Sequence, residues 1–160
     1  MAKAPRVGDP APDFELEGTA GRFRLSDHLG QRVILLFYPG DFTAVCTRQF
    51  CSYAARAEEV DDLDATVVGI SAQDLDSHER FVAKYGLNVP LLADTDHAVA
   101  QAYGAHARIV GTRRSVVIID ADGMVRHRHD HTLGLDYQTV DELREALAKL
   151  GPPRAASPGA

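Results

Sequence analysis

The sequence predicts an α/β fold: a central mixed β-sheet flanked by helices, with a β-hairpin at its N-terminus. Three observations predict it. First, Val33 to Tyr38 is an unbroken apolar run, the pattern of a strand buried on both faces. Second, apolar residues from Thr43 onward recur at steps of three and four, and Thr66 to Ile70 is another apolar strand. Strand, helix and strand within about 40 residues make a right-handed βαβ crossover. Third, Ser115 to Ile119 and Met124 to His131 flank Asp120-Ala121-Asp122-Gly123, a turn sequence that makes a β-hairpin and so adds antiparallel pairs.

The elements follow in order. Pro5, Pro10 and Pro12 keep the first residues extended. Phe14 to Glu17 and Arg22 to Leu25 alternate around a Gly18 to Gly21 turn, giving the N-terminal hairpin. Ser26 or Asp27 caps a single helical turn ending at Gly30. After the strand to Tyr38, Pro39-Gly40-Asp41 stops the chain. Cys46, Phe50, Tyr53, Ala54, Ala57, Val60 and Leu63 then share one stripe of a long helix. Asp74 to Ser77 caps a helix through Tyr85 with Gly86 as its stop, and Val89 to Leu92 is a short strand. Asp94 to Asp96 caps a helix from His97 to Tyr103. After the late hairpin, Thr139-Val140-Asp141-Glu142 is a capping box opening a last helix with Val140, Leu143, Leu147 and Leu150 buried. One domain is expected over residues 1–151, with a disordered tail over 152–160.

Composition narrows the function. The chain has 160 residues and a formal net charge of −6, which argues against nucleic acid, whose binding needs Lys and Arg on phosphates. The apolar run at Val33 is far shorter than the roughly 20 residues that span a bilayer, and the N-terminus lacks a signal-peptide stretch. A cytoplasmic protein is expected. Thiols stay reduced there, so paired cysteines are more often reactive than structural. Both of the chain's 2 cysteines lie in one short segment.

That segment runs Pro39-Gly40-Asp41-Phe42-Thr43-Ala44-Val45-Cys46-Thr47-Arg48-Gln49-Phe50-Cys51. It puts Cys46 in the first turn of a helix, where free N–H groups and the helix dipole stabilise negative charge. A thiolate is the reactive form of cysteine, so the position favours a nucleophile. Thr43, one turn earlier, can turn its hydroxyl toward the sulfur or a substrate oxygen. Cys51 follows at i+5, about 140° around the helix and about 7.5 Å along it. A disulfide needs Cα atoms within roughly 7 Å, so these two cysteines cannot bond while the helix is intact. Cysteine often merely packs, and Cys51 alone reads either way.

These residues resemble the peroxiredoxins, thiol-dependent peroxidases of the thioredoxin-like fold. Their motif P-x-x-x-T-x-x-C stands here as Pro39, Thr43 and Cys46. A subgroup, bacterioferritin comigratory protein or peroxiredoxin Q, places a second cysteine five residues on, as Cys51 does. The resemblance implies that Cys46 attacks hydrogen peroxide or organic hydroperoxides. Cys51 then resolves the sulfenic acid as an intramolecular disulfide, which thioredoxin or a similar dithiol reduces. It implies further that Thr43, Arg114 and the N–H groups of Val45 and Cys46 hold the peroxide oxygens, and that Pro39 walls the pocket. It implies no metal or other cofactor and leaves monomer or homodimer open. Two positions depart from the subgroup: Ala44 replaces a proline, and Gln49, which keeps a carbonyl but no charge, replaces a glutamate.

Two other functions compete. A redox sensor or thiol-exchange protein could use the same fold, although there is no C-x-x-C. A metal module could use His127, His129 and His131, which alternate and face one side of a strand. Their interleaving with arginines favours a solvated strand instead. His28, His78, His97 and His106 are expected at the surface.

Overall fold

The computed structural model describes residues 4–109, 111–131 and 137–151. Strands β1 (Glu15–Leu16) and β2 (Phe23–Arg24) pair as the small N-terminal hairpin, followed by a 3-10 turn (Leu25–His28). Next come β3 (Val33–Phe37), α1 (Ala44–Ala55), α2 (Ala57–Asp61), β4 (Thr66–Ser71), α3 (Leu75–Tyr85) and β5 (Leu91–Ala93). The remainder comprises α4 (Ala98–Ala102), β6 (His106–Ala107), β7 (Gly111–Thr112), β8 (Ser115–Ile119), β9 (Val125–Asp130) and α5 (Val140–Lys149).

The apolar run becomes β3, the middle of a five-stranded sheet ordered β5-β4-β3-β8-β9. It pairs in parallel with β4 and antiparallel with β8, with Phe37 opposite Ile70 on one side and Ser115 on the other. The sheet is therefore mixed. Because side chains alternate across a strand, Ile34, Leu36 and Tyr38 face one way, and Val33, Leu35 and Phe37 the other. The first set packs under α1, α2, α3 and α5, through residues such as Phe50, Tyr53, Phe81 and Leu143. The second packs under α4 and the N-terminal hairpin, through Val99, Tyr103 and Phe23. Helices cover both faces. Each such buried Leu or Ile contributes about 1.5–3 kcal/mol relative to exposure. Among the described residues no helix is long and apolar enough to cross a membrane.

Several boundaries differ from expectation. The long helix breaks at Arg56 (φ −119°, ψ 39°), although its stripe continues through Val60 and Leu63 into the same core. Arg56 leaves the helical path and pairs with Glu59 and with Asp141 of α5. The 3-10 turn begins at Leu25 without a side-chain cap; instead Asp13 Oδ1 accepts the Ser26 N–H at 2.9 Å. The short strand after α3 is shifted to Leu91–Ala93. Helix α4 starts one residue late because His97 itself adopts a left-handed conformation (φ 60°). Asp94 binds the N–H groups of Val99 and Ala100 there, at 3.0 and 2.9 Å. The β6–β7 pair was not expected. The capping box at Thr139 and Glu142 forms as read. The expected disordered tail, 152–160, lies outside the described residues.

Candidate active site

The site lies where β3 ends and α1 begins, at the carboxyl edge of the parallel strands. Cys46 is the third residue of α1. No side chain caps this helix, and its first backbone bond runs from Thr47 N–H to Thr43 O at 2.9 Å. The N–H groups of Val45 and Cys46 therefore have no place in the helical ladder. Thr43 is exposed and donates its hydroxyl proton to Gly40 O at 3.1 Å, so its oxygen remains free to accept.

Cys46 is 0% exposed, and the charged side chain of Arg114 reaches it. Arg114, the residue before β8, is only 2% exposed. Its Nη2 donates to Cys46 Sγ at 2.9 Å, and its Nη1 donates to Oε1 of Gln49. A guanidinium only donates, so the sulfur is the acceptor, a role a thiolate fills better than a thiol. Gln49 is oriented in turn: its Nε2 donates to the Tyr53 hydroxyl at 3.1 Å, which donates to the Gln138 carbonyl at 2.5 Å. The structure thus brings together Cys46, Gln49 and Arg114, with Val45 half-buried beside them and Pro39 half-buried at the turn. Arg113 is not part of this contact; its N–H pairs with Ala105 O.

Cys51 stays on the intact helix, partly buried against the apolar core, and both thiols are free. Ala44 is exposed at the helix start, and Gln49 meets Arg114 as a neutral acceptor.

The expectation that His78 lies at the surface is wrong. It is completely buried, with Nδ1 2.7 Å from Asp41 Oδ2 and Nε2 3.0 Å from Leu92 O. Asp41 also accepts from Tyr38 at 2.7 Å and Ser77 at 2.8 Å. Burial and the neighbouring Asp41 carboxylate push the Tyr38 hydroxyl well above the usual phenol range, so it stays a donor. The signal was present: His78, Phe81 and Tyr85 share one helix face at i, i+3 and i+7. His28, His97 and His106 are half-buried rather than free in solvent; His28 stacks on Phe23 at 4.5 Å, and His97 meets His106 at 4.9 Å. His127 is half-buried in β9, His129 is exposed and touches His131 at 4.4 Å. Burial lowers the pKa of His127. Among the described residues no three metal-ligating side chains are grouped.

Residues 7–128 match the model of the AhpC/TSA family. The chain is 34% identical over 125 residues to peroxiredoxin Bcp of Bacillus subtilis, covering 73% of this chain and 80% of that protein. It is 35% identical over 159 residues to the chloroplastic 2-Cys peroxiredoxin BAS1 of Spinacia oleracea, covering 91% of this chain but only 60% of that protein's length. Among solved structures it is similar to peroxidoxin BcpB from Mycobacterium tuberculosis, with a TM-score of 0.77 and 29% identity over 91% of this chain and 96% of that one.

Proposed function

The chain belongs to the AhpC/TSA family, the peroxiredoxins, and from that premise we propose that it is a thiol-dependent peroxidase with Cys46 as its nucleophile and Cys51 as its resolving thiol. The observation that carries this reading is the Arg114 guanidinium, 2.9 Å from a sulfur at the start of a helix.

The Cys46 thiolate attacks the terminal oxygen of hydrogen peroxide or an organic hydroperoxide. A new S–O bond forms as the O–O bond breaks; the departing hydroxide or alkoxide takes a proton and leaves as water or alcohol, and Cys46 becomes a sulfenic acid. Arg114 and the N–H groups of Val45 and Cys46 stabilise charge on the oxygens as it develops. The Thr43 oxygen, with its own proton committed to Gly40, accepts from the peroxide O–H. Pro39 walls the site and contributes no competing N–H. Since Cys46 has no exposed surface, substrate enters past the exposed Thr43 and Ala44.

The first turns of α1 then unwind, and the Cys51 thiol condenses with the sulfenic acid to give a disulfide and water. A dithiol such as thioredoxin reduces that disulfide by exchange, in the reducing cytoplasm. Both sulfurs belong to one helix, so the chemistry is complete within one chain, whether monomer or homodimer. The i+5 spacing of Cys51 and the similarity to Bcp-type relatives support an atypical 2-Cys mechanism.

Peroxide consumption with a thioredoxin system tests the reading. Wild type should turn over many equivalents, Cys46→Ser none, and Cys51→Ser a single equivalent. Undiminished turnover by Cys46→Ser, or wild type consuming only one equivalent, would sink it.

A further inference from the structure

We propose that His78 is a positioning residue for the peroxide step, holding through Asp41 the turn that presents Thr43 and Cys46, and that this hold opposes the unwinding that brings Cys51 to Cys46. The inference rests on the peroxidase reading above.

The side chains of Asp41 and His78 are both 0% exposed and lie 2.7 Å apart. Leu92 O only accepts, so His78 Nε2 carries a hydrogen, and the ring is pinned to β5 at 3.0 Å. Nδ1 is hydrogen-bonded to Asp41 Oδ2, with the Tyr38 hydroxyl 3.3 Å from the same nitrogen. Tyr38 and Ser77 complete the set around Asp41, and the Asp41 N–H donates to Gln73 Oε1 at 2.7 Å. The preceding Gly40 is pressed against the same glutamine: a Cβ there would stand 2.8 Å from Gln73 Nε2.

What this grip holds is a strained turn. Phe42 has φ 64°, a left-handed conformation that a bulky side chain keeps only when its surroundings impose it. Its ring rests on Phe81 of α3 at 5.0 Å. Helix α3 therefore seizes the turn at Asp41 through Ser77 and His78, and at Phe42 through Phe81. Thr43 and the first turn of α1 follow at once. A disulfide between Cys46 and Cys51 demands that this turn of helix come apart, which also frees Phe42 to relax. The buried Asp41–His78 link resists that release. Weakening it should blur the peroxide site while easing disulfide closure.

Stopped-flow mixing with hydrogen peroxide separates the two steps, in wild type, His78→Leu and His78→Asn. An asparagine N–H falls near the Nδ1 position and can still donate to Asp41; leucine cannot. His78→Leu should slow the peroxide step by about tenfold to a hundredfold and make disulfide closure several-fold faster, and His78→Asn should recover most of the first rate. If His78→Leu does not fold, Ser77→Ala loosens the same carboxylate and should give smaller changes of the same opposite signs. Both steps unchanged, both slowed alike, or Asn and Leu behaving alike would overturn the proposal while leaving the peroxidase reading intact. A wild-type protein inert to peroxide would overturn that reading, and this proposal with it.

Discussion

Nη2 of Arg114 stands 2.9 Å from Sγ of Cys46, while Nη1 of the same guanidinium donates to Gln49. Of these two acceptors only the sulfur can carry a full negative charge. A buried cation needs an anionic partner to offset its lost hydration, so the arrangement directs the arginine's charge at Cys46.

Removing that cation should cost most of the reactivity. Arg114→Leu should lower the second-order rate constant with hydrogen peroxide by about 10²–10³. Arg114→Lys should recover only part of it, because an ammonium lacks the planar fork that reaches sulfur and amide together. Stopped-flow fluorescence or peroxide-consumption kinetics measures both.

Gln49 tests the charge argument separately. Gln49→Glu places a second anion on Arg114 and divides its field. Alkylation of Cys46 by iodoacetamide near neutral pH should then slow by about tenfold. An unchanged or faster rate would show that Arg114 does not act through its charge on the sulfur.

The amide of Gln49 points as it does because of Tyr53. Gln138 O can only accept, so Tyr53 donates to it and accepts from Gln49 Nε2, which leaves Oε1 for Arg114. Burial raises the Tyr53 hydroxyl far beyond the ordinary phenol range, which keeps it a donor. Tyr53→Phe strands the Gln49 N–H and the Gln138 carbonyl. Urea unfolding should show a loss of about 1–3 kcal/mol.

Much of this was legible in the chain. The run from Val33, the Pro39 turn and the spacing from Thr43 to Cys46 located the helix start, because a buried strand feeding a helix leaves a strong apolar signature. Arg114 entered through the family resemblance, which expects an arginine at the start of a late strand; its position alone reads as a solvated strand-end charge. His78 shares a readable apolar helix face with Phe81 and Tyr85, but that this face meets the Asp41 carboxylate from a distant turn leaves no mark in the sequence. Asp41 read only as a turn residue for the same reason. The break at Arg56 was invisible because the apolar stripe crosses it unbroken. The β6–β7 pair, His106–Ala107 against Gly111–Thr112, is held by backbone bonds and carries no alternation to read.

Asp120 should report on acid stability. Burial works against its ionisation, yet Arg126 at 2.6 Å and the N–H groups of Met124 and Asp122 outweigh this and hold its carboxyl below the usual value of 3.8. A depressed carboxyl stabilises the fold fully above the unfolded value and loses that contribution as pH falls through its folded value. Asp120→Asn should cost about 0.5–1 kcal/mol near neutral pH, and the gap from wild type should close as pH drops below 3.8. Denaturant midpoints across an acid pH series measure this.

The most direct test is the intact mass of the reduced protein after one equivalent of hydrogen peroxide, followed by peptide mapping. The account predicts loss of two hydrogen atoms, located to a bond between Cys46 and Cys51, with no such loss in Cys51→Ser, whose Cys46 instead gains one oxygen. An unchanged mass with peroxide left in solution, or an oxygen on Cys51 while Cys46 stays a free thiol, would contradict it.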